Sequence, residues 1–264
     1  MIRNMIDSSD DKTFSQGTLF NCAYSINYTN EEILGLVITA RCDIANKGKV
    51  SFYNFIPAVP FSKWKEKELI DLLKKRVFND QLAKYLQLIK QAKFTESNLE
   101  TYGYDKVLYI IKKEKRLKTD EIKRLKESRH KINLLQNLTP FVELRKHFHK
   151  DIKKIINSII ENKESDYFFI DNILGYGATI VNLREIYMLK KELGDAIPNG
   201  LELTATPNKS GININTGNGL CSVVGQLKSP YTELLLQRFS TNFMRIGVDN
   251  PNSSLCDSLL ENNA

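Results

Sequence analysis

The chain has 264 residues, with 38 Lys/Arg against 31 Asp/Glu and 42% apolar residues, enough for the core of one large domain or two small ones. No apolar run approaches the roughly 20 residues of a membrane-spanning helix, and Met1 to Gln16 lacks the apolar stretch of a signal peptide, so a cytoplasmic protein with no membrane partner is expected. The four cysteines, Cys22, Cys42, Cys221 and Cys256, lie too far apart for the close pairs of zinc or redox motifs. Reduced thiols, and no metal or other cofactor, are expected.

The net charge of +7 suggests an acidic partner, and it is unevenly placed. Residues 104–163 hold about seventeen Lys/Arg against eight Asp/Glu, so the excess lies there and the remainder is close to neutral.

Residues 1–16, with Ser8, Ser9, Asp10 and Asp11, read as a disordered lead. Residues 19–27 and 33–41 are rich in β-branched, aromatic and aliphatic side chains and flank a polar turn from Tyr28 to Glu31, which predicts a hairpin. A third strand over residues 50–59 is ended by Pro57 and Pro60. From Ser62 the apolar period lengthens from two to about 3.6 residues: Leu69, Leu72, Leu73 and Val77 share a face that Leu82, Tyr85, Leu86 and Ile89 continue. Thr119, Asp120 and Glu121 open a helix through Leu138. Pro140 ends it and begins another, whose stripe of Phe141, Leu144, Phe148, Ile152, Ile155 and Ile159 runs to about Glu164.

Strand character returns over residues 167–171 and, past Gly175-Tyr176-Gly177, over 178–183, with shorter candidates at 201–204, 212–214 and 220–227. Ser229 and Pro230 mark a final helix with Tyr231, Leu235, Phe239, Phe243 and Ile246 on one face and Gly247 at its exit. Residues 249–264 read as a flexible tail. The expected class is α+β: a small SH3-like β-barrel or β-rich core (17–61 and 165–248), interrupted by a helical insertion (62–164) and closed by the C-terminal helix.

The segments VITARCDIANKGKV at residues 37–50 and SPYTELLLQRFSTNFMRIG at 229–247, with FFIDN at 168–172 and IVNLREI at 180–186, resemble uncharacterised bacterial proteins of phage-defence gene clusters. That resemblance implies a defence component acting through a protein partner encoded nearby or through nucleic acid. The order QGTLF, GLVITA, FIPAVP and ATIVNLREI is also similar to the small barrel of MazF/PemK-type ribonuclease toxins. Those toxins carry a basic residue ahead of the second strand and Ser or Thr after the third. Here Asn30, Glu31 and Glu32 hold the first place and Ser62 the second, and the acidic pair would repel a phosphate that a cation should hold.

Several residues are candidates for chemistry. Cys42 and Asp43 are either a nucleophile with its neighbour or a buried thiol with a turn-starting aspartate. Arg41, Asp43 and Arg184 would surround the site of a nuclease or nucleotide-processing enzyme if the fold gathered them in one cleft. His147 and His149 would point about 200° apart on a helix and cannot share an ion, while His130 stands alone in a basic helix. Gly175-Tyr176-Gly177 lacks the Lys-Ser/Thr pair of a phosphate loop and reads as a turn.

Lys112, Lys113, Lys115, Arg116, Lys118, Lys123, Arg124 and Lys126, with Arg129, form the densest basic run, either a solvated face or a contact for nucleic acid or an acidic partner. On the final helix Arg238, Asn242 and Arg245 fall at i, i+4 and i+7, a stripe suited to a carboxylate or phosphate. The alternative is that these arginines pair with Asp43 or Glu185 inside the fold. With no convergent catalytic constellation in the sequence, a binding component is preferred to an enzyme.

Overall fold

The computed structural model describes residues 2–7, 13–46, 49–203, 214–215 and 219–243. In chain order these form β1 (Ile6–Asp7), β2 (Thr18–Ala23), β3 (Ile33–Val37), α1 (Arg41–Ala45) and β4 (Phe52–Pro60). Six helices follow: α2 (Phe61–Trp64), α3 (Glu68–Gln91), α4 (Glu96–Tyr102), α5 (Tyr104–Lys113), α6 (Thr119–Gln136) and α7 (Phe141–Ile160). The chain then makes β5 (Tyr167–Ile173), β6 (Gly177–Asn182), β7 (Tyr187–Lys190), α8 (Lys191–Ala196), β8 (Leu201–Glu202), β9 (Leu220–Cys221), β10 (Val223–Leu227) and α9 (Tyr231–Phe243). Among the described residues no helix is long and apolar enough to cross a membrane.

One antiparallel sheet in the order β1-β10-β2-β3-β4-β6-β5, with β7 also on β4, curls into a nearly closed barrel. The expected hairpin is β2 with β3, in register Leu19↔Leu36. Gly35 is required there, because a Cβ at that position would lie 2.4 Å from the Phe20 ring. Pro57 does not stop β4. It pairs with Gly35 on one side, and on the other it falls between the stretch that pairs with β7 (Phe52–Phe55) and the stretch that pairs with β6 (Ala58–Pro60). The missing N–H therefore interrupts no ladder on that side.

A buried cluster draws on the sheet from edge to edge: Leu19, Leu34, Ile56, Val181 and Phe168 belong to it, with Leu227 of β10 and Leu235 of α9. The other face of the sheet packs Phe20, Ile33, Phe55 and Val59 against Leu69 and Leu73 of α3 and Leu144 and Phe148 of α7. Since β3 is buried along its whole length, it reads as a continuous apolar run rather than an alternating one. The helices between β4 and β5 also have a cluster of their own, Tyr85, Ile89, Val107, Ile111, Leu125 and Ile132.

The lead is not structureless where it is described. Ile6 and Asp7 pair with Leu227 and Gln226 of β10, and Met5 is buried, because β10 otherwise offers an open edge. Arg3 then reaches across to the opposite edge. Its backbone N–H donates to Asp171 Oδ2 at 2.7 Å and its Nε to Oδ1 at 2.8 Å, so an ion pair spans the gap between β1 and β5. Burial alone would raise the Asp171 pKa, but the Arg3 hydrogen bonds outweigh it and hold the carboxyl below its ordinary value.

The final helix begins at Tyr231 and buries Leu235, but Phe239 is only half-buried and Phe243 is exposed. The expected apolar face is thus narrower than its periodicity suggests. Ile246 and Gly247 lie outside the described residues, as does the tail 249–264.

Candidate functional site

The best-formed polar site is one that the motifs do not announce. Four separated segments meet at one end of the sheet: the connection 25–28 between β2 and β3, residues 64–68 between α2 and α3, Tyr167 at the start of β5, and residues 182–187 between β6 and β7. Each is a junction between elements, where side chains are free to converge.

Glu185 is the organising acceptor. It receives hydrogen bonds from Ser25 Oγ (2.8 Å), Asn27 Nδ2 (2.6 Å), Asn182 Nδ2 (3.0 Å) and the Tyr187 hydroxyl (2.9 Å). The Tyr187 oxygen also accepts from the Ile26 N–H at 2.9 Å. Lys67 donates to the Asn27 carbonyl at 3.0 Å, pairs with Glu31 at 2.7 Å and sits 4.7 Å from the Tyr28 ring centre.

Glu68, the first residue of α3, accepts the Tyr28 hydroxyl at 2.9 Å. Burial pushes its pKa up, assisted by the charge of Glu185 and opposed by the hydroxyls of Tyr167 and Tyr28, and the net shift is upward. The Trp64 indole N–H adds a smaller lowering pull yet meets no acceptor at hydrogen-bond geometry. Burial likewise raises Tyr28 and Tyr167, reinforced by Glu68. Glu68, Tyr167, Asn182 and Asn27 line a cleft of about 660 Å³, completed by Lys74 and Leu138 among others. A carboxyl displaced upward in a cleft of that size can bind a cationic group or exchange a proton with a ligand.

The residues expected from the sequence are scattered. Arg41, Cys42 and Asp43 lie on α1 rather than at a strand end. Cys42 is exposed, not buried, and its thiol meets Asp43 Oδ1 at 3.5 Å. Asp43 pairs with Lys49, whose hydrogen bond lowers its pKa. Among the described residues no histidine accompanies the thiol, and the Asp43 carboxylate it meets is tied to Lys49. Arg184 is bound to Asp166 at 2.8 Å, and none of Arg41, Cys42, Asp43 or Arg184 lines the cleft.

Arg238 and Asn242 do not present a free edge. Arg238 donates to the carbonyls of Asn162, Glu164 and Tyr167, the last at 3.2 Å, and Asn242 donates to the Ser165 carbonyl at 2.7 Å. They clasp the turn that joins α7 to β5, where a helix end leaves carbonyls without partners. The acidic partners expected for Arg238, Asp43 and Glu185, are not the ones it uses. Arg245 lies outside the described residues.

The three histidines divide differently from expectation. His130 is not alone: its ring packs edge-on against His147 with centres 4.8 Å apart, and His147 Nε2 is 3.2 Å from Glu143. No group of three or more His, Cys, Asp or Glu among the described residues is placed to hold a metal ion. Gly175 and Gly177, both at positive φ, make the turn between β5 and β6 as read from the sequence.

The basic run divides as well. Arg116 is structural: it donates to the Ala92 carbonyl at 3.2 Å, pairs with Glu114 at 2.6 Å and covers the Phe94 ring. Lys112, Lys113, Lys115, Lys118, Lys123, Arg124 and Lys126 are exposed and make no ion pair among the described residues. Of the nearby carboxylates, Glu121 accepts from the Lys118 backbone N–H at 2.7 Å and Glu127 pairs with Lys131 at 2.9 Å. Comparison of the chain with protein-family models, with curated proteins and with solved structures finds no match.

Proposed function

We propose that the protein is a binding component of a bacterial anti-phage system that takes hold of nucleic acid through the exposed face of α5 and α6. One observation carries this reading: seven exposed cations on α5, α6 and the turn between them form no ion pair among the described residues, a density beyond what solubility requires. Exposed tyrosines stand beside lysines on α5 and at the end of the preceding helix α4. Tyr109 is 61% exposed with Lys113 5.9 Å from its ring centre, and Tyr102 is 50% exposed with Lys106 at 5.4 Å. Rings beside cations offer bases a stacking surface while the lysines meet phosphates. The defence setting rests on the resemblance of residues 37–50 and 229–247. The finer reading of the fold, an SH3-like barrel with residues 62–164 inserted, is supported by the separate apolar cluster of the helices.

Fluorescence anisotropy with labelled RNA and DNA tests the proposal. Binding should weaken steeply with salt, with a logarithmic slope of roughly −0.7 to −0.9 per phosphate contacted. Lys112→Glu, Lys113→Glu and Arg124→Glu combined should lower affinity at least tenfold (about 1.4 kcal/mol) with unchanged melting. No binding by the parent, or unchanged binding by the triple variant, refutes it.

A second reading, an enzyme that moves a proton at Glu68, is favoured by the upward-shifted carboxyl in the cleft. Nucleotide or phosphodiester hydrolysis that is lost in Glu68→Gln while nucleic-acid binding persists would support it. Hydrolysis that survives the substitution would exclude it.

A further inference from the structure

Where α2 meets α7, a second cavity of about 310 Å³ joins an apolar floor to a cationic wall. Phe61, Phe141, Ile152 and Ile156 supply the apolar surface, and Lys65, Arg145, His149 and Lys153 the basic groups. No carboxylate lines it. Arg145, His149 and Lys153 all reach it from α7, Arg145 from one side of a kink at Phe148 and His149 and Lys153 from the other. All three are exposed, and neither Arg145 nor Lys153 makes an ion pair among the described residues. Lys65 Nζ lies 5.6 Å from the Phe141 ring centre, with Glu66 3.8 Å away as its weak partner.

These features select a ligand. The cavity is at the small end of the ligand-site range of roughly 300–1,000 Å³, so it admits a ring and leaves the rest of a larger molecule outside. Two phenyl groups and two isoleucines suit a flat aromatic body. Lys65, Arg145 and Lys153 together on the cavity wall suit several negative charges rather than the single charge of a fatty acid, and Arg145 offers the fork that phosphates accept in pairs.

We propose that this cavity binds an aromatic base carrying a chain of phosphates, supplied either by a free nucleoside polyphosphate or by the end of a nucleic-acid strand. The site shares no residue with the α5–α6 face and does not depend on it. The single tryptophan of the chain, Trp64, is buried and stacks on Phe61 with centres 6.0 Å apart. Its fluorescence therefore reports on the cavity wall.

Titration of the full chain with ATP, tripolyphosphate and a short 5′-phosphorylated single strand, followed by Trp64 emission and calorimetry, is the test. ATP should shift the emission and bind at least tenfold more tightly than tripolyphosphate, which has no ring. Arg145→Glu with Lys153→Glu should weaken ATP at least tenfold, and Ile156→Phe, which narrows the cavity without altering charge, should also weaken it. Lys123→Glu with Lys126→Glu on α6 should leave ATP binding unchanged. A strand that binds more tightly than ATP and is lost in the Arg145/Lys153 variant identifies nucleic acid as the source of the ring. The proposal falls if neither ATP nor the strand binds at millimolar concentration, if tripolyphosphate matches ATP, or if the α6 variant loses as much affinity as the α7 variant.

Discussion

Substitution of Arg238 by Gln removes a guanidinium that donates to three carbonyls, those of Asn162, Glu164 and Tyr167. A hydrogen bond to a charged group contributes about 1.5–3 kcal/mol, but the side chain is only partly buried and water can satisfy some of the freed acceptors. A net loss of about 2–4 kcal/mol is therefore expected, or roughly 4–7 °C in melting temperature for a chain of this size. Arg238→Lys keeps the charge but not the fork, so it should lose about half as much. Asn242→Ala removes the single bond to Ser165 and should cost about 1 kcal/mol. Urea denaturation followed by circular dichroism, with thermal melts alongside, measures all three. If Arg238→Gln melts like the parent but no longer binds polyanions, the clasp reasoning is refuted and Arg238 belongs to a recognition surface.

Two further expectations concern pH. The folded pKa of Glu68 lies above its ordinary 4.5, so the native state holds this proton to higher pH than the unfolded chain does. Its contribution is fully present below the unfolded value and is lost as pH rises through the folded one. Glu68→Gln should match the parent in acid and become the more stable protein on the alkaline side of that window, and thermal melts across pH showing a uniform loss would contradict it. Asp171 behaves oppositely, because its folded pKa lies below the ordinary 3.8: its contribution is present above the unfolded value and fades as pH falls through the folded one. Discounted for solvent around Arg3, Asp171→Asn should cost about 1–2 kcal/mol near neutrality and almost nothing at low pH, so an equal loss at both ends would refute the pairing.

The elements that depend on local chemistry can be read from the residues, and those that depend on a distant partner cannot. The β2–β3 hairpin and the α7 stripe follow from periodicity alone, since Phe141, Leu144, Phe148, Ile152, Ile155 and Ile159 are all buried. Pro57 misleads as a stop because its tolerance comes from β6 and β7, more than a hundred residues onward. The strand in the lead is invisible for the same reason: two residues, Ile6 and Asp7, become a strand only beside β10. The polar centre fails most completely. Tyr28, Glu68, Tyr167 and Glu185 share no spacing, and each taken singly is an ordinary residue at the end of an element. The one available signal is Glu68 at the head of an apolar helix, and it points equally to a favourable first-turn charge. Arg238 and Asn242 fall on one stripe by periodicity, but periodicity cannot say whether that stripe faces a ligand or the turn after α7.

The position of β10 bears on how the chain matures as it leaves the ribosome. Both β1 and β2 pair with β10, so these strands are made long before their neighbour, with Thr18 and Gln226 separated by 208 residues. Until residues 223–227 appear, β2 and β1 lack the strand they both pair with among the described residues, while the helices of residues 61–160 can already close their own apolar cluster. Such long-range pairing is slow, and an unpaired strand edge attracts other chains. A nascent chain arrested before Val223 should therefore hold a folded helical lobe beside an open, adhesive sheet, the state in which a chaperone has the most to protect.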